Sequence, residues 1–101
     1  MEAEYYYVYI LYSSTHDKYY IGQTSDLETR MLFHNELSEN SFTSRYRPWE
    51  LKKAIPVQGR RMARKMENYI KNRRSRNYVK SLIENEDAVQ RLLRRFDSSV
   101  G

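Results

Sequence analysis

Two tyrosine-bearing runs, Tyr7-Val8-Tyr9 and Tyr20-Ile21-Gly22, lie a short turn apart near the start of the chain. Downstream, Arg30 and His34 stand one helical turn apart, and Glu67 is a lone acid within a basic stretch. Phenols, a guanidinium, an imidazole and one carboxylate are the parts needed for metal-assisted cleavage of a phosphodiester. That reaction needs a deprotonated water, positive charge on the phosphate oxygens and help for the departing alkoxide. Glu67 is the ligand candidate, because a hard cation such as Mg²⁺ is often held by one or two carboxylates, with water and substrate phosphate completing the shell. The residues alone fit a second role equally well, a helix ion pair with Lys71, Arg60 or Arg64. Arg30 carries a planar fork suited to the charge that develops on phosphorus, and its ordinary alternative is a surface pair with Asp26. His34 is placed to orient Tyr9, bind phosphate or shuttle a proton. Tyr9 and Tyr20 are expected side by side across a hairpin, with hydroxyls toward the attacking water or the phosphate. A phenol titrating near about 10 is a weak base at neutral pH. Arg30 and the metal are expected to lower that value.

These side chains depend on a small set of elements. Residues Tyr5 to Tyr12 are almost all aromatic or β-branched and form the first strand. Such an unbroken run implies a strand covered on both faces, or one whose tyrosines line a working surface. The polar turn Ser13 to Lys18 makes the pair with Tyr19–Gln23 an antiparallel hairpin. A helix follows, with Ser25 and Glu28 at capping-box spacing and Thr24 and Asp26 as competing caps. It fades over Asn35 to Glu39, and Ser38 to Arg47 reads as a loop. Trp49 to Val57 is a third strand, placed at the sheet edge by Pro56. Past Gly59 the period turns helical, with Met62, Ala63, Met66 and Ile70 on one side; Asn72 to Asn77 breaks it. Tyr78 to Phe96 is a further helical segment, with an interruption near Asn85 to Asp87. The order β-β-α-β-α-α predicts an α+β fold, a small three-stranded, mainly antiparallel sheet flanked by helices. Residues 1–96 read as a single domain and 97–101 as a frayed tail.

Composition narrows the classes. The chain has 101 residues and no cysteine, which excludes a disulfide framework and thiolate metal ligands and suits a reducing, cytoplasmic setting. No apolar run reaches the ~20 residues of a membrane span, so no membrane partner is expected. Charge is segregated: eight acids precede Leu51, whereas Leu51 to Ile83 holds eleven Lys or Arg against Glu67 alone. That field suits a polyanion, and nucleic acid is the commonest. Arg60, Arg61, Arg64, Lys71, Arg73, Arg74 and Arg76 are the candidate phosphate contacts, with Lys18, Arg45 and Arg47 as additions. Trp49 is assigned to the core.

Taken together, the motifs resemble the GIY-YIG nuclease superfamily, and in particular its small stand-alone members, excinuclease-like in their similarity to the amino-terminal nuclease domain of the DNA-repair excinuclease. Tyr7-Val8-Tyr9 stands where the family has Gly-Ile-Tyr, with Tyr7 in place of the glycine. Tyr20-Ile21-Gly22 matches in full. Gly22 to Arg30 followed by His34-Asn35 is similar to the family's first helix, and Glu67 before Ile70-Lys71 falls at the metal-binding glutamate. Asn72 and Asn77 are the candidates for a late asparagine. The resemblance covers Tyr6 to Ile83. It implies an endonuclease acting on DNA with Mg²⁺ or Mn²⁺ on Glu67, in repair or recombination. Tyr9 would then act as general base or water positioner, supported by Tyr20, with Arg30 and His34 completing the site. A larger repair or recombination protein is a further expected partner. The rival readings are a nucleic-acid-binding module without catalysis and a protein-interaction module of the same fold.

Overall fold

The computed structural model of the chain describes residues 5–39 and 41–96. The tail assigned to 97–101 lies outside them. Three strands, β1 (Tyr5–Ser13), β2 (Lys18–Thr24) and β3 (Glu50–Gln58), form one sheet in the order β2-β1-β3, with both pairings antiparallel. The aromatic run therefore becomes the central strand. From Val8 to Leu11 no residue is more than 2% exposed, so of the two readings of that run, burial on both faces is correct. Pro56 sits on the edge strand opposite Tyr7, where its missing N–H costs no ladder bond. A bulge between Ile10 and Leu11 leaves Lys52 as the extra residue of β3.

Each face of the sheet has its own layer. Val8, Ile10, Ile21, Ile55 and Val57 meet α2 (Arg60–Arg73), α3 (Arg76–Glu84) and α4 (Glu86–Arg95). The helices contribute Ala63, Met66 and Ile70, then Val79 and Leu82, then Ala88, Val89 and Leu92. On the other face Tyr9, Leu11 and Trp49 pack with Tyr20, Tyr46 and the Leu27 and Met31 stripe of α1 (Leu27–Leu32). None of the described helices is long and apolar enough to cross a membrane.

Local chemistry sets the boundaries. Asp26, rather than Ser25, caps α1, its carboxylate accepting from the Thr29 amide at 3.1 Å and the Thr29 hydroxyl at 2.7 Å. The last turn does not fade as expected. It widens into a π-turn over Phe33–Leu37, closed by the Ser38 amide donating to Phe33 O at 2.9 Å. The segment read as plain loop contains a 3₁₀ turn, Thr43–Tyr46. Trp49 lies just before β3 and is clamped by Asn35, whose carboxamide accepts from the Trp49 amide at 2.6 Å and donates to its carbonyl at 3.1 Å. Arg74 ends α2 in the left-handed conformation. Ser75 then caps α3 through the Tyr78 amide, so this helix starts two residues before the expected Tyr78. The interruption near Asn85 is a complete break: Asn85 is extended, ends α3, and caps α4 through the Asp87 amide.

Candidate active site

Register brings the two tyrosine motifs onto one face. Tyr9 pairs with Gly22 and Leu11 with Tyr20 across the β1–β2 ladder, so both phenols project to the α1 side. Gly22 is explained by the Tyr9 phenol. A Cβ built on Gly22 would lie 2.3 Å from the Tyr9 hydroxyl oxygen and 2.4 Å from Cζ, closer than real atoms approach. Its backbone is not in the positive-φ region, so the requirement is one of space.

The Tyr9 hydroxyl is 2.9 Å from His34 Nε2, and His34 Nδ1 is 2.9 Å from Thr43 Oγ1. Thr43 continues the chain to Ser41 Oγ at 3.2 Å, and Ser38 donates to Ser41. Tyr9, His34, Thr43 and Ser38 are all buried. The His34 ring stands edge-on to Tyr20 with centroids 5.0 Å apart, and the two phenol rings are 6.4 Å apart. Burial lowers the His34 pKa to about 4, with help from the Arg30 and Arg47 charges, so the imidazole is neutral at pH 7. It then carries one proton. When Nδ1–H donates to Thr43, Nε2 accepts from Tyr9. The net shift of the Tyr9 phenol runs opposite to the expected lowering. Arg30 does pull downward, but burial, followed by Tyr20, raises the phenol well above its ordinary range, and the Glu67 charge adds to this.

The remaining candidates arrive from two helices. Arg30 is exposed on α1, its guanidinium 5.3 Å from the Phe33 ring centroid, and its charge reaches both Tyr9 and His34. It does not pair with Asp26, which is committed to Thr29. Glu67 lies between the core residues Met66 and Ile70 but on a different side of α2. Its side chain is only 17% exposed, and Oε2 accepts from Lys71 Nζ at 2.6 Å. The Lys71 ammonium in turn sits 5.8 Å from the Tyr20 ring centroid. Of the two roles read for Glu67, the ion pair with Lys71 is present, and it stands beside the phenols. Among the described residues no three His, Cys, Asp or Glu side chains cluster. One carboxylate with open positions fits a hard divalent cation and not a protein-enclosed zinc.

The seven basic candidates separate into three groups. Arg60, Arg61 and Arg64 line a shallow surface with Lys65 at the start of α2. Lys71, Arg74 and Arg76 border a hollow beside Phe42, and Arg76 is also held by Asp17 in the β1–β2 turn. Arg73 lies over the Tyr78 ring at 4.1 Å and donates to the Tyr69 hydroxyl. Arg47, expected among the phosphate contacts, is instead a structural cap, donating from Nε to His34 O at 2.6 Å and from its terminal nitrogen to Ser38 O. Thr43, Ser41 and Ser38 were not singled out from the sequence. Their only signal was a polar run without periodicity.

The site thus joins a three-stranded sheet carrying two phenols, an arginine–histidine helical segment on one side and a glutamate from a second helix. The chain belongs to the GIY-YIG catalytic domain family, whose model matches residues 5–80. No curated protein and no solved structure matches it. The matched span includes Tyr9, Tyr20, Arg30, His34 and Glu67, and it makes the chain nuclease-type.

Proposed function

We propose that the chain is a divalent-metal-dependent endonuclease that hydrolyses DNA phosphodiester bonds in repair or recombination, with Mg²⁺ or Mn²⁺ on Glu67. The observation that carries this reading is the buried Tyr9–His34 hydrogen bond in electrostatic reach of both Arg30 and Glu67. A cation held there supplies Lewis-acid stabilisation of the phosphate oxygens and of the departing alkoxide. Arg30 is the exposed fork for the remaining phosphate oxygens. Tyr9 positions the attacking water, and as a raised phenol it accepts the water's proton only while passing its own to His34 Nε2. Neutral His34 has that lone pair available when its Nδ1–H donates to Thr43 Oγ1. Tyr20 walls the site and Lys71 pairs with Glu67 beside it.

Lys71 also favours a second reading, in which the lysine serves as a permanent counter-ion in place of a metal and the domain binds DNA without cutting it. Residues 1–96 are proposed to act as one domain, and the cytoplasm suits a cysteine-free chain. Nicking of plasmid or branched DNA with Mg²⁺ or Mn²⁺, with and without EDTA, separates the readings. The nuclease reading requires EDTA-sensitive nicking that disappears in Arg30→Ala and Glu67→Ala, with circular dichroism unchanged. Equal activity of Glu67→Ala removes the metal role. Steeply salt-dependent binding with no cleavage by any divalent ion establishes the second reading.

A further inference from the structure

Beside Tyr19 and Lys71 lies a hollow of about 350 Å³ that the cleavage chemistry touches only through Lys71. Its floor is apolar, formed by Ile21, Ile70 and Val79, and its rim is cationic, with Lys18, Lys71 and Arg74. Phe42 stands at its mouth, 54% exposed, with its ring nearly parallel to Tyr20 at a tilt of 28° and a centroid distance of 6.4 Å. An exposed phenylalanine next to an apolar floor and three cations is complementary to one flat heterocycle carrying anionic groups at its edge. The size falls at the lower end of roughly 300–1,000 Å³ typical of small-ligand pockets.

The backbone points to the same place. Among the described residues only Asp17 and Arg74 combine a side chain with positive φ, and both line this hollow. Arg74 closes α2 at φ 48° and ψ 41°, where glycine is the usual occupant because a Cβ is disfavoured. An arginine kept in that position directs its charge at the rim despite the conformational cost. Asp17 holds Arg76 across the opposite wall.

We propose that this hollow receives a single unstacked base of the DNA strand next to the phosphate being cleaved, so that duplex interrupted by an unpaired nucleotide is favoured over continuous duplex. The base lies against Phe42 and the Ile21–Ile70–Val79 floor, and its flanking phosphates meet Lys18, Lys71 and Arg74. This inference rests on the nuclease reading for the position of the scissile phosphate. Its test, however, is a binding measurement made in EDTA, independent of turnover.

Fluorescence anisotropy compares one labelled duplex, fully paired or with a single extra nucleotide, and 2-aminopurine at the extra position reports stacking. The bulged duplex should bind tighter by on the order of tenfold, the lower part of what one base on an aromatic ring contributes. Its 2-aminopurine should brighten on binding, because it leaves the neighbouring bases whose stacking quenches it. Phe42→Ala and Arg74→Gly should each bring the ratio to within about twofold while circular dichroism stays that of the parent. Equal binding of the two duplexes overturns the proposal, as does a preference that survives both substitutions. Tighter binding of the same bulge in RNA overturns the assignment to DNA. Loss of nicking with the binding preference intact defeats the nuclease reading alone and leaves the base pocket standing.

Discussion

Gly22→Ala adds one methyl group where the Tyr9 phenol already is. The new Cβ would sit 2.3 Å from the hydroxyl oxygen and 2.4 Å from Cζ, so one of the two must move. Tyr9 is 2% exposed and tied to His34, which leaves the ring little room to swing away. Overpacking of this kind costs about 1–3 kcal/mol. Breaking the Tyr9–His34 bond costs roughly 0.5–1.5 kcal/mol more. Against this, alanine restricts the unfolded chain and restores about 0.5–1 kcal/mol. The steric effect wins, and the net destabilisation is about 1–3 kcal/mol. Urea titration at constant slope should show it as a lowered midpoint, and thermal unfolding as a fall of roughly 4–8 °C per kcal/mol. Nicking should fall by about a hundredfold, because the phenol is displaced by the order of an ångström. In a Tyr9→Leu background the same substitution should cost less than about 0.5 kcal/mol, since the obstructing ring is gone. A Gly22→Ala protein with the parental midpoint and the parental nicking rate would refute the close approach and the role given to the glycine.

Two further perturbations follow from the same geometry. His34 titrates at about 4 in the folded chain against an ordinary 6.5, so between those values the unfolded state binds the extra proton and stability falls as pH falls. Unfolding free energy should drop by about 2 kcal/mol from pH 7 to pH 5, and His34→Gln should flatten that slope; an unchanged slope in the variant sinks the assignment. Arg74→Gly relieves a left-handed side chain, a gain of about 1–2 kcal/mol set against roughly 0.5–1 kcal/mol of added freedom in the unfolded chain. Its stability should therefore equal or slightly exceed the parent in urea, whereas a clear loss would show that Arg74 is structural.

The sheet and its helices were legible because their signals are periodic or compositional. The Tyr5–Tyr12 run, the Met62–Met66–Ile70 spacing and Pro56 on an edge each fix a placement through local physics that the tertiary structure does not override. Asp26 displaced the Ser25–Glu28 box because a carboxylate already satisfies the Thr29 amide, a competition that spacing alone does not decide. The π-turn that aims His34, and the Thr43–Ser41–Ser38 hydroxyls behind it, were hidden in a polar segment with no period. Arg47 was misread for a related reason. An arginine in a basic chain looks like a phosphate contact, and only the fold shows its Nε and one terminal nitrogen bonded to the His34 and Ser38 carbonyls. The Tyr9 pKa went the other way because burial depends on the neighbours that α1 and Trp49 bring, which a one-dimensional reading does not weigh against Arg30.

Single-turnover cleavage by Tyr9→Phe, with saturating protein and Mg²⁺, tests the central claim most directly, because the ring still fills its place and only the hydroxyl is lost. The chemical step should slow by about 10²–10⁴-fold, at a stability cost of about 1 kcal/mol. A rate within about threefold of the parent, far below the effect of a lost proton-transfer group, contradicts the role given to the hydroxyl.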